Sequence, residues 1–131
     1  MDRQLRVVHY LNQFFGGIGG EEHAYAPLRV TEGAVGAARA LQAALGAEGA
    51  VAATIVAGDN AFTEEPEPCK AAVKEALDRY RPDVVSAGPA FDAGRYGLAC
   101  AEVCRVARAN GMPAFAPQSL LGIRTVAPAC S

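Results

Sequence analysis

Four short apolar runs, Leu5 to Tyr10, Val51 to Ala57, Val84 to Ala87 and Pro113 to Ala116, are separated by stretches of helical periodicity, and this alternation limits the folds open to the chain. Parallel strands need long crossovers, and helices supply them, so the pattern specifies an α/β architecture with a parallel sheet. Each run is nearly continuous in apolar residues, as strands covered on both faces should be. A first helix is predicted over Val35 to Leu45. The second places Val73, Ala76, Leu77 and Tyr80 on one stripe and leaves Lys70, Lys74, Glu75 and Arg79 for solvent. The third runs from about Arg95 to Asn110, with Tyr96, Ala99, Cys100, Val103 and Ala107 on one side and Gly111 as its stop. The expected fold is a three-layer α/β domain, Rossmann-like or flavodoxin-like, with a parallel sheet of about four strands.

With 131 residues, 51% hydrophobic and 20% charged, the chain can bury a single core without staples. Residues 1–117 are expected to form the α/β domain. Residues 118–131 break the rhythm and read as a divergent tail. A net charge of −2 with scattered Lys and Arg offers no field for nucleic acid. No apolar run is long enough to span a bilayer, and the N-terminus lacks the form of a signal peptide, so the setting is expected to be cytoplasmic. Four cysteines without regular spacing are expected to be reduced thiols.

The loops mark one edge of the sheet. Leu11 to Ala34 far exceeds the usual connection and contains Gly16, Gly17, Gly19, Gly20 and Gly33, followed at Gly20 by the acidic pair Glu21 and Glu22. It follows the first strand, so it belongs at the carboxyl edge, where open α/β sheets place their ligands. Asp59-Asn60 after the second strand and Phe91 to Arg95 after the third belong there too. Arg95 stands at a helix entrance, where unpaired N–H groups and the helix dipole favour an anion and a guanidinium can grip a carboxylate with two donors. The competing reading is a surface arginine paired with Asp92 and a tyrosine, Tyr96, packed on the sheet.

Other chemistries find less support. Aligned on G-x-G-x-x-G, the glycine run puts a glutamate at the third glycine, and no P-loop lysine follows. Glu21, Glu22, His23, His9, Asp59 and Asp92 match no metal-ligand spacing, so no metal is assigned. His9 lies within an apolar strand and reads as a hydrogen-bonded core residue. Cys100 and Cys104 share a helix face and read as small core side chains. Cys69 sits near a helix start, where the dipole lowers a thiol pKa. No Ser-His-Asp or Cys-His array is recognisable.

Longer segments carry a more specific signal. Val7-Val8-His9-Tyr10-Leu11-Asn12-Gln13-Phe14-Phe15-Gly16-Gly17-Ile18-Gly19-Gly20-Glu21-Glu22 resembles the opening of the selenoprotein B subunit of the glycine, sarcosine and betaine reductases. Glu32-Gly33, Val35-Gly36, the segment from Ala53 to Asn60 and that from Ala87 to Cys100 follow in the same order. The likeness covers roughly Arg6 to Pro113. It implies the N-terminal region of a component B in a multi-subunit oxidoreductase of amino-acid fermentation, which reductively cleaves the C–N bond of glycine or an N-methylated glycine. The nucleophile of such proteins is a selenocysteine in the C-terminal region of much longer chains, so no catalytic residue and no cofactor are assigned here. A selenoprotein A and other complex subunits are the implied partners, with a small amino acid as substrate. On this reading Arg95 holds the substrate carboxylate, Asn12, Gln13, Asp59, Asn60 and Tyr96 are its polar neighbours, and Gly16, Gly17, Gly19 and Gly20 form a closing loop. The alternatives are a non-catalytic subunit-docking module, an inactive truncated fragment, or a nucleotide-binding half-domain.

Overall fold

The computed structural model describes residues 4–89 and 94–116. Its strands are β1 (Leu5–Asn12), β2 (Arg29–Glu32), β3 (Gly49–Ala57), β4 (Val84–Ala87) and β5 (Ala114–Phe115). The helices are α1 (Ala38–Leu45), α2 (Asp59–Glu64), α3 (Pro66–Tyr80) and α4 (Gly94–Ala109), with short 3-10 turns at Glu21–His23 and Gly46–Glu48. One sheet holds all five strands in the order β2-β3-β1-β4-β5. β1 pairs in parallel with β3 and β4, and β4 with β5, whereas β2 joins the β3 edge antiparallel.

The α/β class is as expected, with one strand more than the four apolar runs announce. β2 lies inside the long loop from Leu11 to Ala34. Its sequence, Arg-Val-Thr-Glu, is mostly exposed and contains a single apolar residue, so it leaves no apolar run to detect. The first helix begins three residues later than expected, at Ala38, and α2 opens at the predicted loop residues Asp59-Asn60.

Side-chain alternation divides the sheet into two packed faces. Val8 and Tyr10 of β1, with Ala53, Ile55 and Ala57 of β3, meet Phe62, Cys69, Val73, Leu77, Tyr96, Val103 and their neighbours from α2, α3 and α4. Leu11 and Val51 face α1 through Ala38, Leu41 and Leu45. Val51 and Ala53 would lie on the same face of a regular strand. A register shift between Val7 and Val8 pairs Val7 with Val51 and Val8 with Ala53, which sends the two to opposite faces. Each fully buried Val, Leu, Ile or Phe stabilises the fold by roughly 1.5–3 kcal/mol, so both faces contribute strongly.

Polar groups fasten the elements at defined points. α3 starts with Pro66, where the missing N–H costs no hydrogen bond, and stops at Arg81 in the left-handed conformation. The Arg6 guanidinium donates to the Tyr80 carbonyl at 2.5 Å, and the Arg6 N–H donates to Asp83 at 2.8 Å, tying the end of α3 to the start of β1. Thr54, fully buried in β3, donates to the Gly33 carbonyl at 2.8 Å and accepts from the Val35 N–H at 3.2 Å. No helix among the described residues is long and apolar enough to cross a membrane.

The strand order places the site. From β1 the chain moves to β3 on one side, then returns across β1 to β4 on the other. Such a reversal opens a crevice at the carboxyl ends of the strands, here between β1 and β4.

Candidate functional site

β1 ends at that crevice with Asn12 and Gln13, both buried. Asn12 Oδ1 accepts from the Phe15 N–H at 2.9 Å, turning the chain out of the strand, and its Nδ2 donates to Asp59 Oδ2 at 3.2 Å. Gln13 Oε1 accepts from the Asp59 N–H at 3.0 Å, and its Nε2 reaches the Gly20 carbonyl at 3.4 Å. Two side chains from one strand end thus hold the start of α2 and the glycine loop together. Tight approach makes this possible: a Cβ on Gly16 would stand 2.5 Å from Val56 Cγ1.

Arg95 lies in the first turn of α4 and closes the constellation. One guanidinium nitrogen donates to Asn60 Oδ1 and another to Glu21 Oε2 at 2.8 Å. Arg95 and Glu21 are both exposed, while Asn60 is half-buried. The expected pairing of Arg95 with Asp92 falls on a residue outside the described ones, as does Phe91. Glu21, weighed in sequence only among metal-ligand candidates, is the carboxylate that the guanidinium holds. The signal available for it was its place at the end of the glycine loop, but only the fold brings that loop 74 positions along the chain to Arg95.

Beneath the rim the site is aromatic. Tyr96 stacks on Phe15 with ring centroids 5.8 Å apart and leans on Tyr10 at 6.4 Å, and Tyr10 meets Phe62 edge-on at 5.7 Å. Burial pushes the Tyr10, Tyr96 and Cys100 protons to stay on, so these groups are neutral. Burial also pushes the Asp59 carboxyl above its ordinary range, against the pull of Asn12 and the Arg95 charge. Beside Asn60 runs a groove of about 460 Å³ lined by Tyr25, Leu28, Asn60, Glu64, Pro68 and Cys69.

The remaining candidates sort by burial. His9 is a core residue, its Nε2 2.5 Å from the Gly88 carbonyl, which we assign as the acceptor of an Nε2–H. Cys69 does not gain a lowered pKa from its helix start: burial and the nearby Glu65 raise it. Cys100 and Cys104 share the buried face of α4, as expected. Cys69 and Cys100 are free thiols, as expected of them. Cys130 lies outside the described residues. Among those residues no three His, Cys, Asp or Glu side chains gather to hold a metal.

A mostly parallel sheet with polar residues gathered at a strand-order reversal defines an α/β protein with a crevice at the carboxyl edge of its strands. Family comparison places it further. The family model described as glycine/sarcosine/betaine reductase selenoprotein B matches residues 4–117, and the chain belongs to this family. It is 55% identical over 102 residues to a glycine reductase complex component B subunit gamma of Symbiobacterium thermophilum, an alignment covering 78% of this chain and 24% of that protein. It is 45% identical to a sarcosine reductase complex component B subunit beta of Peptoclostridium acidaminophilum, over 85% of this chain and 26% of the other. A betaine reductase complex component B subunit beta of the same organism is 42% identical over 79% of this chain and 23% of its own length. The chain therefore spans about a quarter of the length of the curated relatives it matches. No solved structure matches it.

Proposed function

We propose that this chain is the N-terminal module of a glycine-, sarcosine- or betaine-reductase component B, and that its crevice holds a small amino acid by the carboxylate. The reaction served is reductive cleavage of the substrate C–N bond, with a selenocysteine outside these 131 residues as the nucleophile. The chain works in the cytoplasm within a complex that includes a selenoprotein A. Its own residues bind and orient. Arg95 supplies charge and two donors, Asn60 aligns the guanidinium, Asn12 and Gln13 brace Asp59 beside it, and the loop of Gly16, Gly17, Gly19 and Gly20 covers the rim.

One observation carries this reading: Arg95 already grips a carboxylate, that of Glu21, at 2.8 Å in the crevice. A bound carboxylate of similar shape can take the same place. Thermal melting with glycine, sarcosine or betaine at millimolar concentration is expected to raise the midpoint for at least one of them. Arg95→Ala is expected to abolish the shift. A midpoint unmoved by all three sinks the substrate-site reading.

A second reading, a docking surface for another subunit, is favoured by the exposure of three large apolar side chains, Phe14, Tyr25 and Leu98, carried by the same loops and the first turns of α4. It predicts no shift with any of the three compounds.

A further inference from the structure

Asp59 carries an acceptor that nothing among the described residues uses. The residue is only 7% exposed. Its Oδ2 accepts from Asn12, but Oδ1 is fully buried and without a hydrogen-bond partner among the described residues, as are the Tyr10 and Tyr96 hydroxyls near it. An unpaired buried carboxylate is costly, so native structures usually provide it with a cation or hold it protonated. The cation whose charge reaches it is Arg95, and that guanidinium is turned instead to Glu21 and Asn60. Among the described residues, every other titratable group that bears on Asp59 is acidic or neutral: Glu21 from the loop, Tyr10 from β1, and Tyr96 and Cys100 from α4. A positive and a negative group therefore border one crevice without pairing with each other.

The two ends of a zwitterion match these two groups in charge. We infer that Asp59 Oδ1 receives the ammonium end of a zwitterionic amino acid whose carboxylate displaces Glu21 from Arg95. The inference rests on the carboxylate site proposed above and adds the partner for the other end. Releasing Glu21 removes the side-chain tie between the loop and α4, while the loop keeps its backbone hydrogen bonds to β1 and α2. The chemical class follows from the acceptor. A primary or secondary ammonium can donate N–H to Oδ1, whereas a quaternary one offers charge alone, so glycine and sarcosine are favoured over betaine.

Calorimetric titration of the 131-residue chain with glycine and with acetate tests the inference. Wild type is expected to bind glycine about ten- to a hundredfold more tightly than acetate, the range for a charge-assisted hydrogen bond. Asp59→Asn is expected to bring the two within about threefold. A measurement on the unmutated protein guards against misfolding of the variant. On that protein glycine is expected to bind more tightly than betaine, whose quaternary ammonium has no N–H to donate to Oδ1. A glycine preference untouched by Asp59→Asn, or betaine binding as tightly as glycine, overturns the assignment of Asp59. In either case, loss of acetate binding in Arg95→Ala leaves the carboxylate site standing. If neither compound binds wild type, both readings fall.

Discussion

At the residue scale, the crevice is governed by which carboxylate holds Arg95. Glu21 and Arg95 form an exposed pair, which contributes little to folding because solvent competes for both partners. The same weakness makes Glu21 replaceable. Glu21→Gln is expected to leave the thermal midpoint nearly unchanged and to tighten glycine binding about two- to fivefold, because an internal competitor is gone. Calorimetry of the two proteins side by side measures this, and an equal or weaker affinity for the variant would show that Glu21 does not compete with the ligand. Arg95, Asp59 and Asn60 were legible in sequence because helix starts and strand ends have recognisable partners in residue type. The Tyr10 hydroxyl beneath them was not, since a tyrosine in an apolar strand carries no sign of which face it occupies.

At the element scale, the short helix α2 depends on the chain before it lying against the Ala24 backbone. A Cβ on Gly58 would run into the Ala24 carbonyl oxygen and stand 2.7 Å from the Ala26 nitrogen. The backbone of Gly58, at φ −66 and ψ 145, is one that alanine adopts freely, so the obstacle is contact alone. Gly58→Ala is expected to destabilise the protein by about 1–3 kcal/mol, read as a lowered urea midpoint with an unchanged slope. A midpoint equal to wild type would mean that the 3-10 turn can move aside at little cost. α2 and β2 were the two elements that sequence patterning missed. Six residues give too few turns for a helical stripe, and β2 is held by its pairing with β3 rather than by apolar side chains. α4 was legible almost to the residue, and α3 through its apolar stripe from Val73 to Tyr80.

At the scale of the whole molecule, two buried titratable groups should shape stability against pH in opposite directions. Burial outweighs the Gly88 hydrogen bond and lowers the His9 pKa below its ordinary 6.5. The unfolded chain then binds more protons than the folded one, so this stability is complete above pH 6.5 and lost as pH falls through the lowered folded value. Asp59 is raised above its ordinary 3.8, so its contribution is largest below that pH and declines as pH rises through the folded value. Urea midpoints from pH 4 to 8 are expected to lose their acid-side slope in His9→Gln and to gain stability at neutral pH in Asp59→Asn. Unaltered profiles in both variants would place the pH dependence elsewhere. By itself the sequence determined the α/β class, the parallel core strands, the two long helices and the rim at which polar residues collect, because all of these follow from periodicity and chain direction. Only the tertiary structure decided that Glu21 occupies Arg95, that Asp59 Oδ1 is sealed without a partner among the described residues, and that an antiparallel strand completes the sheet. Pairing across 74 positions of chain depends on how layers pack, and packing has no local signature.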